Sequence, residues 1–304
     1  MQYRLLGLCA AALGAFAPLV AAQECDRAAI SAFADSYVAA HETGSLSNLS
    51  NIAEDFTYVE NNQTAEITAG ILSKALAIAH RHTIVDTVDC ASYSELIVTH
   101  DAAGAPAPYV IGTQIRHHGP ADPSVNLIDL TVSTTGSWLF NSTRTLELAS
   151  KENWSLIDED SRDSREALRQ AADAYLDMWS NASAVDAVPW GTPCVRLEGS
   201  VYTGSGLPTD SCKVGIPTNH NQAPNSHRRY VTDVAYGSIS VLCIFEHLAN
   251  APDSHEFRME NGKLRYIHTI TLANSGFFAA ELPEPQPAPP ARYRIRGDSS
   301  ARPS

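Results

Sequence analysis

Apolar residues recur at helical spacing from Arg27 to His41, where Ile30, Phe33, Ala34, Tyr37, Val38 and His41 fall on one stripe. The stripe returns 138 residues later as Leu168, Ala171, Ala172, Tyr175, Leu176 and Trp179. Both copies carry Ala-Asp-x-Tyr, at Ala34–Tyr37 and Ala172–Tyr175, and the same offset lays Val59-Glu60 over Leu197-Glu198. Further on, HRHTIVD (His80–Asp86) repeats as HRRYVTD (His227–Asp233) at an offset of 147, and IDLTVS (Ile128–Ser133) lies over IHTITL (Ile267–Leu272). The nine extra residues fall in the turn-rich stretch Pro208–Asn225 of the second copy. One long helix followed by a run of strands, written twice, is an internal duplication.

Between these landmarks the pattern predicts a short helix over Ile71–His80 and strands near Ala91–Thr99, Tyr109–His117 and Val125–Val132. The second half has strand patterns at Tyr230–Ala235 and Ile239–Phe245, and a hairpin over Asp253–Leu272. Asn261-Gly262 is the turn signal of that hairpin, because a type I′ turn needs φ > 0 at both central residues. In regular register Met259 faces Leu264, Phe257 faces Tyr266 and His255 faces His268. His255, Phe257, Met259, Leu264, Tyr266 and His268 would then share one face, an apolar pocket wall with two opposed imidazoles. Asp163 and Glu166 read as the acidic, capped start of the second long helix. His117-His118 before Gly119-Pro120 read as a solvated turn.

Composition bounds the rest. With 304 residues, 44% hydrophobic and 18% charged, the chain can bury a large core. Residues 1–22 carry one Arg, an apolar run and small residues ending Val20-Ala21-Ala22, the pattern of a secretory signal peptide. Sequons at Asn48, Asn62, Asn141, Asn153 and Asn181 fit export and predict glycosylation. The expected location is extracellular or within the secretory pathway. Formal net charge is −13, and removing the leader takes away only Arg4, leaving −14. So acidic a chain predicts neither nucleic acid nor membrane as partner. Of the five cysteines beyond the leader, the expected pairs are Cys25–Cys90 and Cys194–Cys212, one per half, with Cys243 a buried thiol. After Ser275 the chain is Pro-rich and unpatterned, and Arg296-Gly297-Asp298 within it reads as a chance motif. The expected organisation is a leader (1–22), a first domain (23–157), a second domain (158–275) and a tail (276–304), the two α+β domains packing as an intramolecular pseudo-dimer in a monomeric chain.

A long helix on a curved antiparallel sheet that ends in a Gly-turned hairpin resembles the NTF2-like (SnoaL-like) cone. DFTYVENN, YVIGTQIR, VPWGTPCVRLEGSVYTG and DSHEFRMENGKLRYIHTIT resemble, more narrowly, a family of secreted fungal proteins described as a domain of unknown function, over about residues 25–272. The superfamily resemblance implies a closed apolar cone with a few acid–base groups. Its members include isomerases, dehydratases and cyclases as well as binding and assembly modules.

Burial in such a cone raises carboxylate pKa values and lowers imidazole values towards neutrality, where acid–base groups work best. The candidate catalytic set is His268, His255, Tyr266 and Asp233, with Phe257, Met259, Leu264, Tyr230 and Glu198 lining the substrate. Structural alternatives stand beside these roles: a hydrogen-bonded histidine pair at a sheet edge, Asp233 paired with Arg228 or Arg229, and Glu198 paired with Arg196. The first half offers His80, His82, Asp86, Glu60, Tyr58 and Asp129. His80 and His82 sit two apart, yet no third ligand follows at a metal spacing, so no metal or other cofactor is expected. No GxSxG, HExxH or Gly-rich phosphate loop occurs, which leaves serine hydrolase, zinc protease and nucleotide enzyme unsupported. The expectation is a cofactor-independent cyclase, isomerase, dehydratase or pericyclase (of the hetero-Diels–Alder kind) acting on a small hydrophobic metabolite. The alternatives are a secreted binding or host-interaction protein, and a structural pseudo-dimer with filled cones.

Overall fold

The computed structural model describes residues 23–216 and 219–273. The expected leader and the Pro-rich tail with its Arg-Gly-Asp lie outside the described residues. Helix α1 (Arg27–Thr43) starts where Asp26 accepts a hydrogen bond from the Ala28 amide and stops at Gly44, which takes φ 62°. Its buried stripe is Ile30, Phe33, Ala34, Tyr37, Val38, Ala40 and His41. Strands β1 (Ile52–Glu60), β2 (Gln63–Thr64), β3 (Leu76–Asp86), β4 (Ala91–Asp101), β5 (Pro106–His117) and β6 (Val125–Thr134) follow. They form one sheet in the order β2-β1-β6-β5-β4-β3, in which only β1 and β6 run parallel.

Helix α2 (Ser142–Ala149) and an irregular linker lead to α3 (Arg165–Asp177), and the plan repeats. Strands β7 (Trp190–Glu198), β8 (Val201–Tyr202), β9 (Ser226–Asp233), β10 (Ser238–Phe245), β11 (Ala251–Glu260) and β12 (Lys263–Thr271) take the order β8-β7-β12-β11-β10-β9. The molecule is thus two similar α+β domains in tandem. The disulfides Cys25–Cys90 and Cys194–Cys212 are present, one in each half, and Cys243 is a buried free thiol. No helix among the described residues is long and apolar enough to cross a membrane.

Each sheet has two covered faces. One packs on its own helix, giving two cores, around Tyr37, Leu96, Ile111 and Ile128 in the first half and around Tyr175, Val241, Phe257 and Ile267 in the second. The other faces meet at a seam, where Ile84, Ala91 and Tyr93 pack on Val231 and Leu242, while Ile97 and Val110 pack on Leu197 and Ile270. The sheets approach closely there: a Cβ on Gly112 would lie 2.7 Å from Ser254 Oγ.

Several expectations are corrected. Ile71–His80 is not a helix; after a 3-10 turn at Ile71–Ser73 the chain is strand from Leu76, because the whole of β3 pairs along β4. Ser164, not Asp163, caps α3 through the Ala167 amide, and Asp163 instead accepts from the amide of Gly262. His117 ends β5 as a buried residue whose Nδ1 donates to the Pro123 carbonyl.

The largest correction concerns the hairpin. Asn261 and Gly262 do form the turn, with φ 54° and 73°, and Met259 does face Leu264. Arg265 is then an extra residue in β12. Arg258 pairs with Tyr266, Phe257 with Ile267, Glu256 with His268, and His255 with Thr269. A one-residue bulge exchanges the faces of everything beyond it. His255, Phe257, Met259 and Leu264 therefore point to the helix, whereas Tyr266 and His268 point to the seam; the two imidazoles do not face each other.

Candidate active site at the seam of the two sheets

Alternation along β12 carries Tyr266, His268 and Ile270 to the seam, and alternation along β11 carries Ser254, Glu256 and Arg258 beside them. The facing sheet supplies Glu95 from β4 and His80 and His82 from β3, two residues apart on one face. The linker after α2 completes the cluster with Glu152 and Trp154.

His268 is buried and donates from both ring nitrogens, Nδ1 to Glu95 Oε2 at 3.0 Å and Nε2 to Glu152 Oε2 at 2.6 Å. Burial by itself lowers an imidazole pKa, but the two carboxylates outweigh it and hold His268 well above its ordinary value. Burial pushes Glu95 up, and the adjacent imidazolium more than reverses this, leaving its carboxyl below the usual range. Trp154 Nε1 donates to the same Glu152 oxygen at 2.9 Å, while Glu152 Oε1 is buried without a hydrogen-bond partner of good geometry. Tyr202, on β8, has its hydroxyl pushed up by burial and by the Glu152 charge.

A second imidazole–carboxylate pair stands alongside. His82 Nε2 donates to Glu256 Oε1 at 3.0 Å, and Ser238 Oγ donates to the same oxygen at 2.7 Å. Glu256 Oε2 is buried and unpartnered. The Trp154 ring lies against both pairs, with centroids 4.6 Å from His82 and 5.1 Å from His268, and 5.4 Å from Tyr266. Two imidazole–carboxylate pairs thus adjoin one indole, and Tyr202 approaches the Glu152 carboxylate from β8. His80, half-buried beside them, is lowered by desolvation.

The duplicate strand positions show how the halves diverged. Asp129 pairs with Val59 as His268 pairs with Leu197, so the two are equivalent by register. In the first half that position makes an ion pair, Arg229 Nε to Asp129 Oδ2 at 2.5 Å, across the same seam.

The remaining expected site residues lie elsewhere. Asp233 is buried and pairs with Arg27, not with Arg228 or Arg229, while also accepting from the amides of Val85 and Ala235. Asp86, its duplicate, pairs with Arg165. Tyr230 donates to Asp173 beneath the Arg169 guanidinium, and Glu198 accepts from Arg196 Nε at 2.6 Å; neither reaches the seam cluster. His255, Phe257, Met259 and Leu264 belong to the second core. In the first core Tyr58 donates to Glu60.

Of the sequon asparagines, Asn141, Asn153 and Asn181 are exposed, and Asn48 is half-buried. The Asn62 side-chain nitrogen is buried while its oxygen accepts from Arg229, which places the atom a glycan would need inside the molecule. An open cleft of about 660 Å³ lies at Lys74, Leu76 and Tyr109 of the first half, and none of its lining residues belongs to the seam cluster.

Glu95, Glu152, Glu256 and Trp154 were not legible as site residues in the sequence. Glu95 stands directly before the apolar run Leu96-Ile97-Val98 of β4, a local sign of a buried partner. No curated protein matches the chain. Residues 161–271, which span α3 and the whole of the second sheet, match the model of a family described as a domain of unknown function (DUF8021).

Proposed function

We propose that the chain is a tandem NTF2-like protein that acts without a cofactor on a small hydrophobic molecule at the seam, by proton transfer of the isomerase, cyclase or dehydratase kind. The observation that carries this reading is the placement of both His268–Glu152 and His82–Glu256 against Trp154. Isomerisation and dehydration remove a proton at one atom and deliver one at another, so two acid–base pairs beside one aromatic ring suit them. Glu152 Oε1 is the base of this reading. His268 and Trp154, both on Oε2, hold its carboxylate in place, and the His268 imidazolium is the store from which a proton returns. Tyr266 and Tyr202 supply aromatic surface for the substrate.

Binding without turnover is the second reading. It is favoured by the full commitment of His268, whose two nitrogens already sit on carboxylates. Disulfides and sequons are compatible with a secreted role in either case.

The test uses tryptophan emission and solvent deuterium together. A panel of small hydrophobic ketones and phenols is titrated into wild type and Trp154→Phe, and bound ketones are then incubated in D2O with wild type, Glu152→Gln and His268→Gln. The enzyme reading expects quenching that Trp154→Phe removes. It also expects deuterium incorporation that falls about 10²–10⁴-fold in the other two variants. Quenching without incorporation supports binding alone, and the absence of both overturns the site.

A further inference from the structure

We propose that Cys243, Asp253 and His255 form a zinc site in the closed interior of the second half. The three lie on the helix-facing side of the second sheet: Cys243 pairs with Asp253 across β10 and β11, and His255 follows Asp253 by two residues. Cys243 Sγ is 3.6 Å from Asp253 Oδ2, and His255 Nδ1 is 2.5 Å from the same oxygen. The three donor atoms lie within 4.8 Å of one another.

Three further observations point to a ligand. The residues are buried to 0%, 1% and 2% exposure, and His255 Nδ1, despite its short contact, has no hydrogen bond of acceptable geometry. Thr271 Oγ1 donates to Asp253 Oδ1 at 2.5 Å, turning the other carboxylate oxygen toward the cysteine and the histidine; metal-binding carboxylates are commonly oriented this way. The strongest observation is the comparison with the first half. By strand register Cys243, Asp253 and Thr271 occupy the places of Leu96, Ile111 and Val132, all part of the first apolar core, and His255 that of Thr113. Three of the four places are thus apolar in the first half, while Thr113 there is satisfied by Tyr37; burying a carboxylate where the duplicate has Ile111 costs stability unless something partners it.

Nitrogen, carboxylate and thiolate donors together suit Zn²⁺. Thiolate and carboxylate bring two negative charges to a divalent ion, so the filled site is neutral, as a buried site requires. In a tetrahedron with zinc–ligand bonds of about 2.0–2.3 Å, a sulfur–oxygen edge is about 3.6 Å and a nitrogen–oxygen edge about 3.4 Å. The first already holds, and the imidazole must withdraw by about 0.9 Å. Burial and the Asp253 charge hold the Cys243 thiol well above its ordinary pKa, so the ion must displace its proton on binding. The three donors are buried on the helix-facing side of the second sheet, opposite the face that forms the seam, which separates this site from the seam cluster.

The test uses the full chain in a Cys9→Ser background, stripped with a chelator and reloaded with zinc or cobalt. The expected result is about one zinc per chain by elemental analysis, together with a thiolate-to-cobalt charge-transfer band. Cys243→Ser removes the band, and Thr271→Val weakens metal retention about 10–100-fold. Wild-type protein that retains no zinc, or that binds cobalt without the thiolate band, overturns the proposal. Should Cys243→Ser not fold, the wild-type spectrum decides alone, because every other described cysteine is in a disulfide.

Discussion

Arg27, at the start of the first long helix, grips Asp233 at the end of β9 in the other half, with both terminal nitrogens 2.8 Å from its carboxylate. Arg165, 138 residues on, does the same to Asp86 with two contacts of 2.7 Å. Each aspartate also takes a backbone amide of the opposite half, Val85 for Asp233 and Thr232 for Asp86. The aspartate that ends each recurring His-Arg segment is therefore one half of a reciprocal clasp between the halves. Arg27 is partly exposed and Asp233 keeps two amide donors, so Arg27→Ala should cost about 1–3 kcal/mol rather than the larger loss of a fully buried pair. Arg165→Ala should match it. Urea unfolding of the two single variants checks this, and effects that differ several-fold would mean that the two clasps are not equivalent.

Stability should fall on both sides of neutrality for different reasons. His268 has a raised pKa in the fold, so its stabilisation is complete below about 6.5, the unfolded value, and is lost as pH rises through the folded value. His41, lowered to about 4 by burial, acts in the opposite sense, and stability drops as pH falls from about 6.5 towards 4. Glu95, held low by His268, adds a further loss at lower pH, as pH falls below about 4.5, its unfolded value. Melting temperature against pH should show both limbs in wild type and only the acid limb in His268→Gln. An alkaline limb unchanged in that variant would exclude His268 as its source.

The two disulfides should differ in worth. Cys25–Cys90 spans 65 residues and Cys194–Cys212 spans 18. Loop-closure entropy then favours the first, about 4 kcal/mol against about 3 kcal/mol. Denaturant unfolding of the paired Cys→Ser variants measures the order, and non-reducing peptide mapping should recover Cys243 as a free thiol.

Deleting Arg265 should be far more damaging than replacing it. Without the bulge, β12 returns to regular alternation, and either Leu264 or the Tyr266–His268 pair must point to the wrong face. We expect the deletion to lose cooperative unfolding in the second half, followed by circular dichroism, while Arg265→Ala stays within about 0.5 kcal/mol of wild type.

The sequence by itself determined the duplication, both long helices with their buried stripes, most strands, the Asn261-Gly262 turn and the cysteine pairing. The helices, strands and turn follow from local periodicity and turn chemistry, which a short window of chain carries; the duplication follows from comparing distant windows, and the cysteine pairs from an expectation of one bridge per half that the structure bears out. Even the equivalence of Asp129 and His268 could be read from the repeat, and strand register bears it out. Only the tertiary structure decided what those residues meet. The extra residue at Arg265 leaves no mark in a hydrophobic pattern, since alternation on either side of it looks unbroken, yet it sends His255 and His268 to opposite faces. Glu95, Glu152 and Glu256 come to the imidazoles from 116 to 174 positions away, or across a sheet pair. A contact of that separation is fixed by how two sheets stack, a property of the packed whole that no single segment encodes.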